Sequence, residues 1–429
     1  MKALLPFLLI LSSSFVRAED WPRFRGPQGN GFSTDTRAPQ TWSDKDNLKW
    51  KIALPGPGSS SPITSGDRVF LTCYSGYGTN RSDVENISGL KRHLFCIDRA
   101  TGKVIWEKQV KATQPEDPFR GYLTEHGYAS HTPVTDGKTV FVFYGKSGAL
   151  AYDAKTGKEL WRTPLGTSSS SRRWGSASSP ILYKDTVIIN ASDESETLYA
   201  LDKATGKVVW KVKAGGIALT FGTPGILKAG DREDLVIAVP YEIWGMNPDK
   251  GTLRWVVEIP MDGNVSPSIL VDKGVVYAFG GYRTRGSVAV RAVEDVRGPL
   301  DVTKSHLIWK TRTSSYVPSP VLHDGHLYWM DERGNAFCSE AKTGKVVYEK
   351  EIIGPSRDRP VYASPVLVNG RIYCVTRKRG TYVFAAQPAF KQLANNRFAN
   401  DESDFNASPA ISDGQLFIRS NQFLYCIEE

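Results

Sequence analysis

The chain has 429 residues, of which 40% are hydrophobic and 23% charged, with a net charge of +9 and a pI near 9.1. That apolar content supports a packed core and excludes an intrinsically disordered chain. The positive balance raises nucleic acid as a partner, but Lys103, Lys158, Lys207 and Lys345 belong to a repeated turn and no nucleic-acid-binding signature accompanies the charge, so nucleic acid is set aside.

In chain order, Lys2, the apolar run Ala3 to Leu11 and the small-residue step Val16-Arg17-Ala18 read as a signal peptide over 1–18. The run is too short to span a bilayer, and no later stretch is apolar enough to do so, so no transmembrane segment is expected. No Cys follows the cleavage step, so the expectation is a periplasmic or extracellular protein without a lipid anchor. Residues 19–46 form a leader containing WPRFRGPQGNGFS, and 47–429 form one repeat domain.

Eight Ser/Thr-Pro steps then recur, at Pro62, Pro133, Pro180, Pro224, Pro267, Pro320, Pro365 and Pro409, separated by 71, 47, 44, 43, 53, 45 and 44 residues. This is the period of a four-stranded propeller blade. Proline donates nothing to a β-ladder and belongs at a strand's first residue; the preceding hydroxyl can bond backbone groups in the crowded centre of a ring. Each step leads into a strand, a polar turn and a second strand.

A second motif keeps the same period in another phase: DRATGKVIW (98–106), DAKTGKELW (153–161), DKATGKVVW (202–210), EAKTGKVVY (340–348) and, more loosely, NPDKGTLRW (247–255). Its Gly suits a left-handed turn, its acid braces that turn, and its aromatic opens the next strand. Short strands of the LYALD type precede it. The last unit ends without its fourth strand, while NLKWKIAL (47–54) carries Trp50 where such a strand would. An all-β, eight-bladed β-propeller of four-stranded antiparallel blades follows, its last blade closed by an N-terminal strand.

Cys96, Cys338 and Cys426 occupy a small position of the third strand, and Cys374 one of the second. All four read as core packing; a Cys73–Cys96 disulfide is the alternative.

The loops divide between two faces. First-to-second and third-to-fourth strand turns are short and generic; the other face is long, irregular and rich in Arg, Tyr and His, where function concentrates. It holds His126 and His131, Arg173 and Trp174, and Arg283, Arg285, Arg333, Arg357, Arg359, Arg377, Lys378 and Arg379. Arginine clusters suit carboxylate, sulfate or phosphate; Asp331, Glu332 and Asp358 in the same loops offer interblade pairing instead. The two histidines lack companions at metal-ligand spacing and read as hydrogen-bonding loop residues, so no metal site is assigned. Trp174 and Tyr362 stand just before their Ser-Pro steps, placed to stack a planar ligand or sugar, or a neighbouring blade. No nucleophile elbow, phosphate loop or paired-carboxylate spacing is present.

The Asp-x-x-Thr-Gly-Lys-x-x-Trp repeats resemble the tryptophan-docking blades of the pyrroloquinoline-quinone (PQQ)-like β-propeller family, over about Trp50 to Glu429, and the leader resembles that of exported bacterial members. That resemblance implies either dehydrogenases holding PQQ with calcium in the funnel or a cofactor-free outer-membrane assembly protein. The dehydrogenases' adjacent Cys-Cys pair and calcium ligands have no match here, so no catalytic residue is transferred. The expectation is a monomeric, non-catalytic scaffold whose loop-rich face engages a protein partner or an anionic extracellular polymer. The alternatives are a PQQ-dependent oxidoreductase and a polysaccharide-active enzyme.

Overall fold

Strands start where the Ser/Thr-Pro steps place them. In a computed structural model describing residues 19–80, 86–295, 298–354 and 358–429, seven inner strands begin at the residue after the proline, among them Ile63–Ser65, Val134–Thr135 and Val366–Val368. Residues 1–18, where the signal peptide is expected, and Arg357 lie outside the described residues. Blade one runs outward through Arg68–Ser75 and Lys91–Asp98 to Val104–Lys111, all antiparallel, and seven more sheets repeat the plan around one axis. Apolar layers fill the wedges between blades; Ile63, Phe70 and Leu94 of blade one meet Val140, Leu150 and Tyr152 of blade two. No helix among the described residues is long and apolar enough to cross a membrane.

The hydroxyls, more than the prolines, define the ring. The backbone N–H of Ser61 donates to Thr132 Oγ1, Thr132 to Ser179, Ser179 to Thr223, Thr223 to Ser268, Ser268 to Ser319, Ser319 to Ser364 and Ser364 to Ser408, all at 2.8–3.1 Å. Blade five corrects the expected register. Its ring member is Ser268, after Pro267, and its inner strand starts only at Leu270. Counted by hydroxyls, the proline has moved two residues upstream and Ile269 stands in its usual place.

The repeated turn has a role between blades. Trp50, Trp106, Trp161, Trp210 and Trp309 lie flat on Gly102, Gly157, Gly206, Gly251 and Gly344 of the following blade, where an added Cβ would meet the indole at 2.6–2.8 Å. All five indoles donate Nε1–H to that turn's backbone at 2.8–3.3 Å, to Arg99, Ala154, Lys203, Pro248 and Ala341. Four of the five turns are braced by an acid and that of Gly251 by Asn247; Asp98 Oδ1 accepts both Thr101 N–H and Oγ1–H, which holds its carboxyl below the ordinary range.

Blade five breaks the expectation that all third-to-fourth strand turns are short. Its connection runs from Arg291 to Leu307 and lays Leu300–Asp301 in parallel beside the outer strand Leu253–Glu258 of blade four. With no Thr-Gly-Lys turn next door, Trp255 folds over Gly245 of its own blade and donates to the buried Asp234 at 2.8 Å.

The ring closes as expected, with Leu48–Ala53 antiparallel to Phe423–Ile427. The leader does more than precede it. Trp21 N–H donates to Thr64 Oγ1 of blade one and Trp21 O accepts the Thr64 N–H, Pro22 O accepts from Thr135 of blade two, Arg25 reaches Pro320 O of blade six, and Phe32–Ser33 adds in parallel to Val366–Val368 of blade seven. Residues 19–33 thus cross the axis beneath the inner strands, with Trp21 and Arg25 fully buried. All five cysteines are free and buried; Cys73 faces His93 across the ladder and Cys96 faces Phe70, so no disulfide joins them.

Candidate functional site

The main cavity lies on the axis and holds about 150 Å³. Its waist is the hydroxyl ring, six members of which, from Ser179 to Ser408, line it. Its base is Phe24 from the leader. Its wall comes from segments just upstream of the inner strands: Tyr122, Trp174, Phe221, Asn264, Tyr316, Tyr362 and Asn406. The long connection after blade one forms a lid. Its short helix Leu123–His126 leans over the mouth, where Arg377 Nη1 pairs with Glu125 Oε2 at 2.7 Å and Asn406 Nδ2 donates to Glu125 O at 2.9 Å.

The sequence candidates separate into three groups. Trp174, Tyr362 and His126 line this chamber. His126 bridges the lid to blade three, Nε2 donating to Trp174 O at 2.8 Å and Nδ1 meeting Ser130 Oγ at 2.6 Å; burial holds its pKa below the usual value. Tyr122 meets Trp174 edge-on at 4.6 Å.

A second group is taken up in structural contacts. Arg285 pairs with buried Glu332 at 2.6 Å, Asp331 Oδ1 accepts the backbone N–H of Arg333 and Asn335, and Arg377 holds Glu125 and Asn406. Arg359 lies over the rings of Tyr122 and Tyr316, 5.2 and 4.7 Å from their centroids. A third group, Arg173, Arg283 and Arg379, is exposed and away from the chamber.

His131 faces a separate cavity of about 20 Å³ lined by blades one, two and three and by the connection that carries the lid. There Arg92 pairs with Glu116 at 2.6 Å and Lys146 with Asp117 at 3.0 Å. Ser176 Oγ sits 3.0 Å from His131 Nε2 and donates to Glu194 Oε1 at 2.5 Å. Burial, aided by Arg92 and His126, pulls His131 down to about 3, and burial pushes Glu194 up to about 8. Both groups are therefore held neutral near pH 7.

Tyr316 was within reach of the reasoning that singled out Tyr362, since both precede a Ser-Pro step by a few residues. Phe24 and Glu194 carried no periodic signal. They come from the non-repeating leader and from a second-to-third strand connection.

The chamber does not suit PQQ with calcium. A planar tricarboxylate needs free cations, and the nearby arginines hold Glu332, Glu125 and tyrosine faces. Calcium takes six to eight oxygens, several of them carboxylate; the one carboxylate lining the chamber, Glu125, is bound to Arg377. Among the described residues no three His, Cys, Asp or Glu side chains group as a metal site. The volume also falls below the roughly 300 Å³ at which pockets for drug-sized ligands begin.

A family model described as outer membrane protein assembly factor BamB matches residues 90–350 and 294–392. The chain is 22% identical over 390 residues to the tetrathionate hydrolase of Acidithiobacillus ferrooxidans, covering 87% of this chain and 65% of that protein. It is 25% identical over 269 residues to outer membrane protein assembly factor BamB of Yersinia pestis, covering 58% and 62%. The chain thus spans under two thirds of the length of these curated relatives. Among solved structures, a europium-containing methanol dehydrogenase aligns with a TM-score of 0.64 at 12% identity, over 96% of this chain and 98% of that one; this likeness is one of fold.

Proposed function

The chain belongs to the PQQ-like repeat β-propeller family, and from that premise we propose that it is a non-catalytic scaffold, exported from the cytoplasm, whose loop-rich face docks an acidic protein partner. The observation that carries this reading is an arc over four consecutive blades. The second-to-third strand connections of blades four to seven present Tyr241 and Tyr282, 61% and 43% exposed, beside exposed Arg283, Arg333, Lys378 and Arg379. Tyrosine and arginine are the side chains that most often dominate protein interfaces, giving large rigid contact area and bidentate hydrogen bonding. The acids nearest this arc are already used: Glu332 by Arg285, and Asp262 by the backbone N–H of Arg283 and Thr284. Arg333 and Lys378 make only long, exposed pairs, 3.9 Å to Glu332 and 3.8 Å to Asp404, and Arg283 and Arg379 pair with no carboxylate among the described residues, so the arc keeps a positive charge that favours fast, steered encounter. The family's assembly-factor relatives agree with a binding role.

A photo-crosslinking residue at Tyr282 in producing cells tests the proposal against one at Lys155, a turn residue on the opposite face. A single protein adduct is expected from position 282 alone, lost when Arg283, Arg333 and Arg379 are changed to Glu. The same adduct from position 155, or one indifferent to charge reversal, refutes the docking face. Stoichiometric PQQ binding with calcium, read from the quinone absorbance, refutes the non-catalytic reading. A mature N-terminus at Glu19 is the expected mark of export.

A further inference from the structure

We propose that the axial chamber binds a single uncharged sugar ring, independently of any protein docked on the rim. The waist carries the argument. Ser179, Thr223, Ser268, Ser319, Ser364 and Ser408 each spend one oxygen lone pair on a neighbour's backbone N–H, and among the described residues none donates its own proton. All six are more than nine-tenths buried and line the chamber. Six buried O–H donors without acceptors converge on one axis, and a buried donor left unpaired is costly. Accepting an N–H also polarises each hydroxyl and strengthens it as a donor.

The wall above supplies the complement. Trp174, Tyr122, Tyr316 and Tyr362 surround the space with aromatic rings, against which the C–H face of a sugar packs while its oxygens accept from the waist. The volume, about 150 Å³, is that of a cavity that takes one six-membered ring. The charge of the lining selects against ions. Its one carboxylate is neutralised by Arg377, and His126 is tied by hydrogen bonds on both ring nitrogens. Among the lining residues an anion would find donors but no Lys or Arg, Arg359 standing outside the lining over the Tyr122 and Tyr316 rings, and aromatic faces are electronegative. Phe24 shuts the lower end, so a ligand enters past the lid.

Saturation-transfer NMR on the chain from Glu19 to Glu429, with methyl glucoside and N-acetylglucosamine as probes, tests the site. A short oligosaccharide separates a free sugar from the end of a glycan. Transfer to ring protons is expected, weakened at least tenfold in Trp174→Leu and roughly three- to tenfold in Ser364→Ala. Sulfate and phosphate should leave it unchanged. The proposal is overturned by no transfer at about 20 mM of any neutral sugar, by equal binding to Trp174→Leu, or by displacement with sulfate. Should Ser364→Ala fail to fold, Trp174→Leu still decides the matter, because its side chain lies outside the hydroxyl ring.

Discussion

Replacing Gly206 with Ala separates two causes that the repeated turn combines. At this position φ is +70°, and an added Cβ would lie 2.6 Å from two carbons of the Trp161 indole and 2.8 Å from Thr163 Oγ1. The left-handed backbone alone costs a non-glycine residue about 1–2 kcal/mol. Overpacking against a side chain held by its own hydrogen bond, here Trp161 Nε1 to Lys203 O at 2.8 Å, adds about 1–3 kcal/mol. Gly206→Ala should therefore cost roughly 2–5 kcal/mol. Gly370 has nearly the same φ, +67°, with nothing within 4 Å of its would-be Cβ, so Gly370→Ala should show the backbone part only, about 1–2 kcal/mol. Gly215 has open space and no left-handed φ, and Gly215→Ala should stay within about 0.5 kcal/mol of the parent. Urea midpoints followed by far-UV circular dichroism measure all three. Equal losses for Gly206→Ala and Gly370→Ala would refute the claim that the interblade indole sets the glycine requirement.

The lid latch gives a second outcome: Arg377→Ala removes the pair with Glu125 and should raise amide exchange over Leu123–His126 roughly thirtyfold, about 2 kcal/mol of local opening, with the blades unaffected. Glu194 gives a pH dependence. Its folded pKa near 8 lies above the ordinary carboxyl value, so folding binds a proton; the group's stabilisation is whole below about pH 4.5 and is lost as pH rises through 8. Glu194→Gln should flatten the unfolding midpoint between about pH 4.5 and 8, and an unchanged slope there would move the cause elsewhere. Trp21→Ala, emptying a fully buried leader position, should cost about 3–5 kcal/mol by urea melt; a loss under 1 would mean the leader is not part of the folded core. The five thiols should resist Ellman's reagent in the native state and a reductant should not shift the melt, since burial raises Cys73 to about 12 and no disulfide is present.

Blade count, strand order and ring closure were legible because repetition turns a weak local pattern into a strong one. Seven of the eight copies of hydroxyl, proline and apolar step fix where inner strands start, and Trp50 in the closing strand shows the phase. The misplaced copy in blade five was a proline two residues from its hydroxyl; periodicity alone could not say which member the ring selects. The interblade use of tryptophan and glycine was half-visible, since both residues recur but the partner of each lies about 45 residues away and is set by packing. The chamber's wall was legible through Trp174 and Tyr362. The fate of the arginines was not, because whether Arg285 meets a ligand or Glu332 depends on a loop-to-loop distance that no local pattern encodes. Phe24 and Glu194 are single-copy residues, for which a repeat alignment has no column.

The leader's path beneath the inner strands bears on the timing of folding. Trp21 meets Thr64 soon after both are made, but Arg25 waits for Pro320, Phe32 for Leu367, and Leu48–Ala53 for Phe423–Ile427 at the far end of the chain. At roughly 5–20 residues per second those partners arrive on the order of tens of seconds later. This early segment is thus among the last to be finished, and until its partners are made it is a loose end holding Phe24, Phe32 and Trp50 in search of surfaces that do not yet exist. A chain so arranged commits to its final form only when its last strand is available, and any helper that shelters it should recognise those early aromatics.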